Sequence, residues 1–152
     1  MKKQIKYRLI GSLQISGDKS ISHRSLILSS LAIGKARISN LLESEDTLST
    51  VKILKALSIQ IKKDKNEWIV IGNGTNGYIQ PAEALDCGNS GTTARLMLGA
   101  VSTNPIFCTF TGDKSLSKRP MTRVTDFLNS IGAETVLTNK DYFPMTINGA
   151  ED

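Results

Sequence analysis

Gly17-Asp18-Lys19-Ser20-Ile21-Ser22-His23-Arg24 closes a polar turn and opens an apolar run that continues to Ala32. Gly88-Asn89-Ser90-Gly91-Thr92-Thr93-Ala94-Arg95 does the same further along. In each, a small polar or glycine residue stands at a helix start and an arginine follows one turn inside: Ser20 with Arg24, Gly91 with Arg95. The recurrence marks two copies of one unit, offset by about 70 to 76 residues.

The first copy reads as a helix from about Ser20 to Ala32, a strand from Ala36 to Leu41 and a helix from Asp46 to Leu57. Two strands follow, Ile59 to Lys63 and Trp68 to Ile71, and the copy ends at Gly72-Asn73-Gly74. The second reads as a helix from Ser90 to Ser102, a strand from Phe107 to Thr111 and a helix from Pro120 to Ile131. Its closing strands are Glu134 to Leu137 and Pro144 to Ile147, before Asn148-Gly149. Leu48, Val51, Leu54 and Leu57 make one apolar helical face; Met121, Val124, Phe127, Leu128 and Ile131 make another. Ser44 ahead of Glu45 and Asp46 fits a helix start, and Pro120 fits a first turn. Strands joined through helices predict an α/β fold with parallel elements. The polar turns Lys63-Asp64-Lys65-Asn66 and Thr138-Asn139-Lys140-Asp141 predict antiparallel hairpins, and Gly74 to Ala84 is the expected joint between copies.

The chain has 152 residues, 39% hydrophobic and 22% charged, which suits a globular unit rather than a disordered one. A net charge of +5 suits acidic ligands. No basic arm and only 5% aromatic content argue against nucleic-acid binding. No apolar run reaches membrane-spanning length and Met1-Lys2-Lys3-Gln4 does not begin a signal peptide, so a cytoplasmic protein with Cys87 and Cys108 reduced is expected. One histidine and two isolated cysteines offer no metal-ligand spacing.

The two helix starts and Ser117-Lys118-Arg119-Pro120 share one chemistry. Free N–H groups at a helix N-terminus beside Lys or Arg form an anion site. Lys19 sits at the mouth of the first, with the Ser20 hydroxyl and Arg24 one turn on. Gly91 allows close backbone approach in the second, Thr92 and Thr93 add hydroxyls, Arg95 repeats Arg24, and Asn89 is placed to cap. Arg119 stands ahead of Pro120 in the third. On pattern alone each is also consistent with a capped helix bearing solvated cations. No Gly-Lys-Ser/Thr follows four variable residues, so this is not a P-loop. His23 reads as a helix-surface residue or an acid–base group without an evident partner, Cys87 as a small buried residue at a strand end, and Trp68 as core. Asp18, Glu45 and Asp46 either orient the basic groups or cap.

Taken together, these stretches with Lys118-Arg119-Pro120-Met121 and Gly72-Asn73-Gly74 closely resemble the 5-enolpyruvylshikimate-3-phosphate synthase (3-phosphoshikimate 1-carboxyvinyltransferase) family. The resemblance runs through the whole chain. It implies an inside-out α/β barrel fold built of βαβαββ units, three in each of two domains, with substrates in the cleft between them. It implies transfer of the enolpyruvyl group of phosphoenolpyruvate to shikimate-3-phosphate with release of phosphate, and no metal or organic cofactor. By position, Lys19 would contact both substrates and stabilise charge, Ser20 and Arg24 would bind shikimate-3-phosphate, and Gly91 and Arg119 would bind phosphoenolpyruvate. Asn89, Thr92 and Arg95 would support that loop.

The expected division is residues 1–18 as a strand and linker, with a strand near Leu13 to Ile15 that the family assigns to its lower domain, then units at 19–83 and 84–152. A third unit and the lower domain have no counterpart. The proton-accepting Asp and the later Lys, Glu and Arg of the phosphoenolpyruvate site are therefore missing, and the chain alone is expected to be inactive without the C-terminal part. Leu96 after Arg95 resembles a glyphosate-tolerant subgroup, whereas Gly91 leaves room for that inhibitor and implies sensitivity. Two alternatives are a non-catalytic phosphate-binding fragment and the related transferase acting on UDP-N-acetylglucosamine. The second is disfavoured because Asp113-Lys114-Ser115-Leu116-Ser117 holds no cysteine and Lys19-Ser20 replaces Lys-Asn.

Overall fold

A computed structural model describes residue 8 and residues 10–150. Four helices and seven strands are seen among them: α1 (Lys19–Leu31), β1 (Ile33–Ser39), α2 (Glu45–Ala56), β2 (Gln60–Asp64), β3 (Glu67–Asn73), β4 (Leu85–Asp86), α3 (Gly91–Val101), β5 (Phe107–Thr111), α4 (Thr122–Ser130), β6 (Glu134–Thr138) and β7 (Tyr142–Asn148). A single 3-10 turn, Leu116–Lys118, precedes α4.

The two copies are visible in the sheets. β1-β3-β2 form one sheet, and β5-β7-β6 repeat its order and antiparallel pairing within β4-β5-β7-β6. The expected antiparallel hairpins form, and they set how the parallel elements are arranged. β1 and β2 do run the same way, but β3 folds back between them, because the short Lys65-Asn66 turn makes a hairpin before β2 can pair with β1. Among the described residues the one parallel pair is β4 with β5. β4 was not foreseen: it lies in the second copy where the Leu13–Ile15 strand was expected in the first. That strand is not formed. Leu13 and Ile15 are exposed, and an Asn40 side-chain amide donates to the Ile15 carbonyl at 3.5 Å.

Helix starts are set by small polar side chains. The Asp18 carboxylate accepts from Ile21 N, Ser90 Oγ from Thr93 N, and Ser44 and Thr47 cap each other reciprocally. The capping residue of α3 is thus Ser90, not Asn89. α4 begins at Thr122, whose N–H and hydroxyl donate to the Asp141 carboxylate, and Pro120 lies ahead of the helix rather than in its first turn.

The core lies among the helices and the inner sheet faces, with Leu26, Leu54, Leu98, Met97, Phe110 and Ile147 all at 0–1% exposure. α2 is buried over a wide arc that includes Thr47, Thr50 and Ile53 as well as the foreseen apolar face. The foreseen face of α4 is only partly buried. Met121, Thr125 and Leu128 point inward, whereas Phe127 and Ile131 are exposed, because a nine-residue helix presents one narrow i, i+3/i+4, i+7 stripe. The joint at 74–84 is anchored rather than loose: buried Tyr78 bonds Ser30 Oγ at 2.7 Å, and its N–H donates to Asn104 Oδ1 at 3.3 Å.

Candidate anion-binding site

Helices α1, α2 and α3 bring their N-terminal ends together. A set of bonds within their first two turns ties them to one another. Lys19 Nζ of α1 pairs with the Asp46 carboxylate at the start of α2. Thr93 Oγ1 of α3 donates to the Asp46 carbonyl at 3.0 Å. His23 Nδ1 lies 2.8 Å from Thr50 Oγ1, which lies 2.9 Å from Thr93 Oγ1. Three positive dipole ends therefore share one face of the molecule.

The first cluster is half used. Lys19 is paired with Asp46, and Asp18 occupies Ile21 N, so acidic groups both orient and cap here. Ser20 is exposed. Arg24 is exposed and has no carboxylate partner among the described residues. The open cationic group of this cluster is thus Arg24, one turn inside α1.

The second and third sequence stretches form one cluster. Arg95 donates to the Gly91 carbonyl and to the Pro120 carbonyl, each at 3.2 Å. Arg119 donates to Asn89 Oδ1 at 2.9 Å and Ser115 Oγ at 3.3 Å. Every hydrogen-bond acceptor of the two among the described residues is a neutral oxygen, so neither guanidinium is closed off by a direct ion pair at the α3 N-terminus, although the Asp113 carboxylate lies near enough to Arg119 to feel its charge. Gly91 makes the arrangement possible: a β-carbon there would stand 2.6 Å from Arg95 Nη1 and 3.1 Å from Arg119 Nη1. Thr92 is exposed on the same first turn.

Asp113 is the residue the sequence did not single out. Its carboxylate accepts from Asn89 Nδ2 at 2.7 Å and from the Ser115 and Leu116 N–H groups. Asn89 then has its carbonyl end turned to Arg119. The Asn89 bond, the backbone donors and the Arg119 charge hold this carboxyl below its usual range, so it stays ionised and keeps Asn89 oriented. A groove of about 340 Å³ runs beside this cluster, lined by Asp46, Ser49, Lys52, Gly88 and Asn89.

His23 is a correction. It is fully buried rather than on the helix surface, its Nε2 has no hydrogen-bond partner among the described residues, and burial holds its pKa below 6.5 against the pull of Asp46. Cys87 and Cys108 are buried free thiols pushed up to about 12, unsuited to nucleophilic work. Trp68 is buried and donates to Glu43, as a core residue does. Among the described residues there is no group of ligands for a metal and no helix long and apolar enough to cross a membrane.

A family model described as EPSP synthase (3-phosphoshikimate 1-carboxyvinyltransferase) matches residues 3–152. The chain belongs to the EPSP synthase family. A 3-phosphoshikimate 1-carboxyvinyltransferase of Ruegeria sp. (strain TM1040) is 50% identical over 145 residues, which is 95% of this chain and 32% of that protein. The enzyme of the same name from Paracoccus denitrificans (strain Pd 1222) is 48% identical over 145 residues, 95% of this chain and 33% of that protein. The structure of EPSP synthase from Acinetobacter baumannii superposes with a TM-score of 0.86 at 38% identity, over 91% of this chain and 32% of that one. The chain thus has the EPSP synthase fold and spans about a third of the length of the curated relatives it matches.

Proposed function

We propose that this segment supplies the helix-terminus half of a site that transfers the enolpyruvyl group of phosphoenolpyruvate to shikimate-3-phosphate. The observation that carries the reading is the convergence of Arg95 and Arg119 over Gly91 at the α3 N-terminus, with neutral oxygens as their hydrogen-bond acceptors among the described residues. Two guanidiniums without a direct ion pair at a helix N-terminus suit a small, multiply charged anion.

Phosphoenolpyruvate occupies the Gly91–Arg119 cluster, with Asn89, Thr92 and Arg95 holding its loop. Shikimate-3-phosphate takes Ser20 and Arg24. Lys19, held between the clusters by Asp46, contacts both and stabilises charge as the substrate hydroxyl adds across the C2–C3 double bond of phosphoenolpyruvate, its oxygen to C2 and a proton to C3. Fixed cations cost no reorganisation when charge develops, which is where such a site gains rate. The tetrahedral intermediate then loses phosphate from C2 and a proton from C3, which restores the double bond. The domain division follows the repeat, with units at 19–83 and 84–152.

The carboxylates at the two clusters among the described residues, Asp46 and Asp113, are engaged with Lys19 and with Asn89, and on this reading turnover needs groups from the remaining length of such enzymes. Titration with phosphoenolpyruvate, followed by amide NMR, tests the half-site. Shifts at Gly91, Thr92 and Arg119 that disappear in Arg119→Ala support it; shifts unaffected by that change refute it. Steady-state product formation by the purified chain would refute the claim that it is inactive alone.

A further inference from the structure

The buried chain His23–Thr50–Thr93–Asp46 has a direction fixed by counting protons. The Asp46 carbonyl can only accept, so Thr93 spends its one hydroxyl proton there. Thr50 must then donate to Thr93, across 2.9 Å. The Thr50 oxygen is left as an acceptor for His23, so Nδ1 carries the imidazole proton across 2.8 Å. Nε2 is bare, which agrees with its having no partner among the described residues. All three side chains are at 0% exposure, one from each of α1, α2 and α3.

The chain also closes on itself. His23 lies one helical turn beyond Lys19 on α1. Asp46, where the proton chain ends, holds Lys19 through its carboxylate. Thr93 sits two residues from both Gly91 and Arg95. Resting on the substrate reading above, we propose that His23, Thr50 and Thr93 are positioning residues that fix the Lys19 end of the site relative to the Gly91–Arg95 end. An apolar trio of similar volume would bury as well, but nothing in it would lock the rotation of three helices to each other. The residues touch no substrate; they act through Lys19 and the α3 terminus.

His23 is the single histidine of the chain, so imidazole ¹⁵N NMR reads it without ambiguity. The wild type is expected to show Nδ1–H and a bare Nε2. Thr93→Val frees the Thr50 proton for Nδ1, so His23, on another helix, is expected to switch to the Nε2–H tautomer. Affinity for shikimate-3-phosphate is expected to fall about fivefold to tenfold in the same variant, the loss of one buried hydrogen bond. Thr93→Ser, which keeps the hydroxyl, restores both. An Nε2–H wild type overturns the proposal, as does a tautomer switch with unchanged affinity, which would make the chain merely structural. If the wild type binds no shikimate-3-phosphate, the substrate reading has failed. The positioning role then stands only if Thr93→Val moves the Lys19 and Gly91 amide resonances, and falls if they stay. Should Thr93→Val not fold, Thr93→Ala against Thr93→Ser makes the same comparison.

Discussion

At the scale of single residues, Gly91 and His23 carry the sharpest consequences. A methyl group at position 91 would meet the tip of Arg95 at 2.6 Å, and a flexible guanidinium can give way. Gly91→Ala is therefore expected to leave the melting temperature nearly unchanged while phosphoenolpyruvate affinity falls about tenfold, roughly 1.4 kcal/mol. Parallel thermal melts and titrations check this; equal losses in both would mean that the glycine serves the fold instead. For His23 the sign follows from burial. Its folded pKa lies below the ordinary 6.5, so below pH 6.5 the unfolded chain holds more protons. Stability from this group is complete above pH 6.5 and is lost as pH falls toward the lowered value. The urea midpoint should drop on acidification through that window in the wild type and less in His23→Asn. The basic residues of the site were legible in the sequence because charge next to a helix start is a local signal. The burial of His23 was not, since it depends on Thr50 and Thr93, brought in by two other helices.

At the scale of elements, local chemistry again decides what could be foreseen. Helix ends were readable to within a residue or two where a cap marked them, as at Asp18 and Ser44. The start of α4 falls two residues after the Pro120 that marked it in the sequence, because its cap is the Asp141 carboxylate from a distant hairpin. The hairpin turns were legible from their polar residues, with Lys65, Asn139 and Lys140 all in the left-handed region. The two-residue β4 was not, because it exists only through its pairing with β5. The reciprocal cap at α2 gives a measurable cost: Ser44→Ala is expected to lose about 1 kcal/mol in chemical denaturation. Leu54→Ala, in the fully buried stripe of the same helix, should lose about 2–5 kcal/mol. Comparable losses from the two changes would show that the helix packs less tightly than its burial implies.

At the scale of the whole molecule, the repeat explains both the site and the surface. Two equivalent units place equivalent helix termini side by side, and that is how distant stretches of sequence meet in one cluster. The same arrangement leaves Ile21, Leu28, Ile33, Phe127 and Val136 exposed. Sedimentation of the isolated chain is expected to show mass rising with concentration, and Leu28→Glu to reduce the effect. The repeat itself was legible because charge and glycine recur at one offset. The order of strands within each sheet was not, since a hairpin inserted between two like-directed strands leaves no periodic trace. The central claim is that the phosphate-binding half-site is built within this segment. Titration with shikimate-3-phosphate, read by backbone amide NMR with Arg24→Ala as control, tests it most directly. Shifts centred on Lys19, Ser20 and Arg24 that vanish in the variant are predicted; a well-dispersed spectrum that does not move, or moves equally in Arg24→Ala, would contradict it.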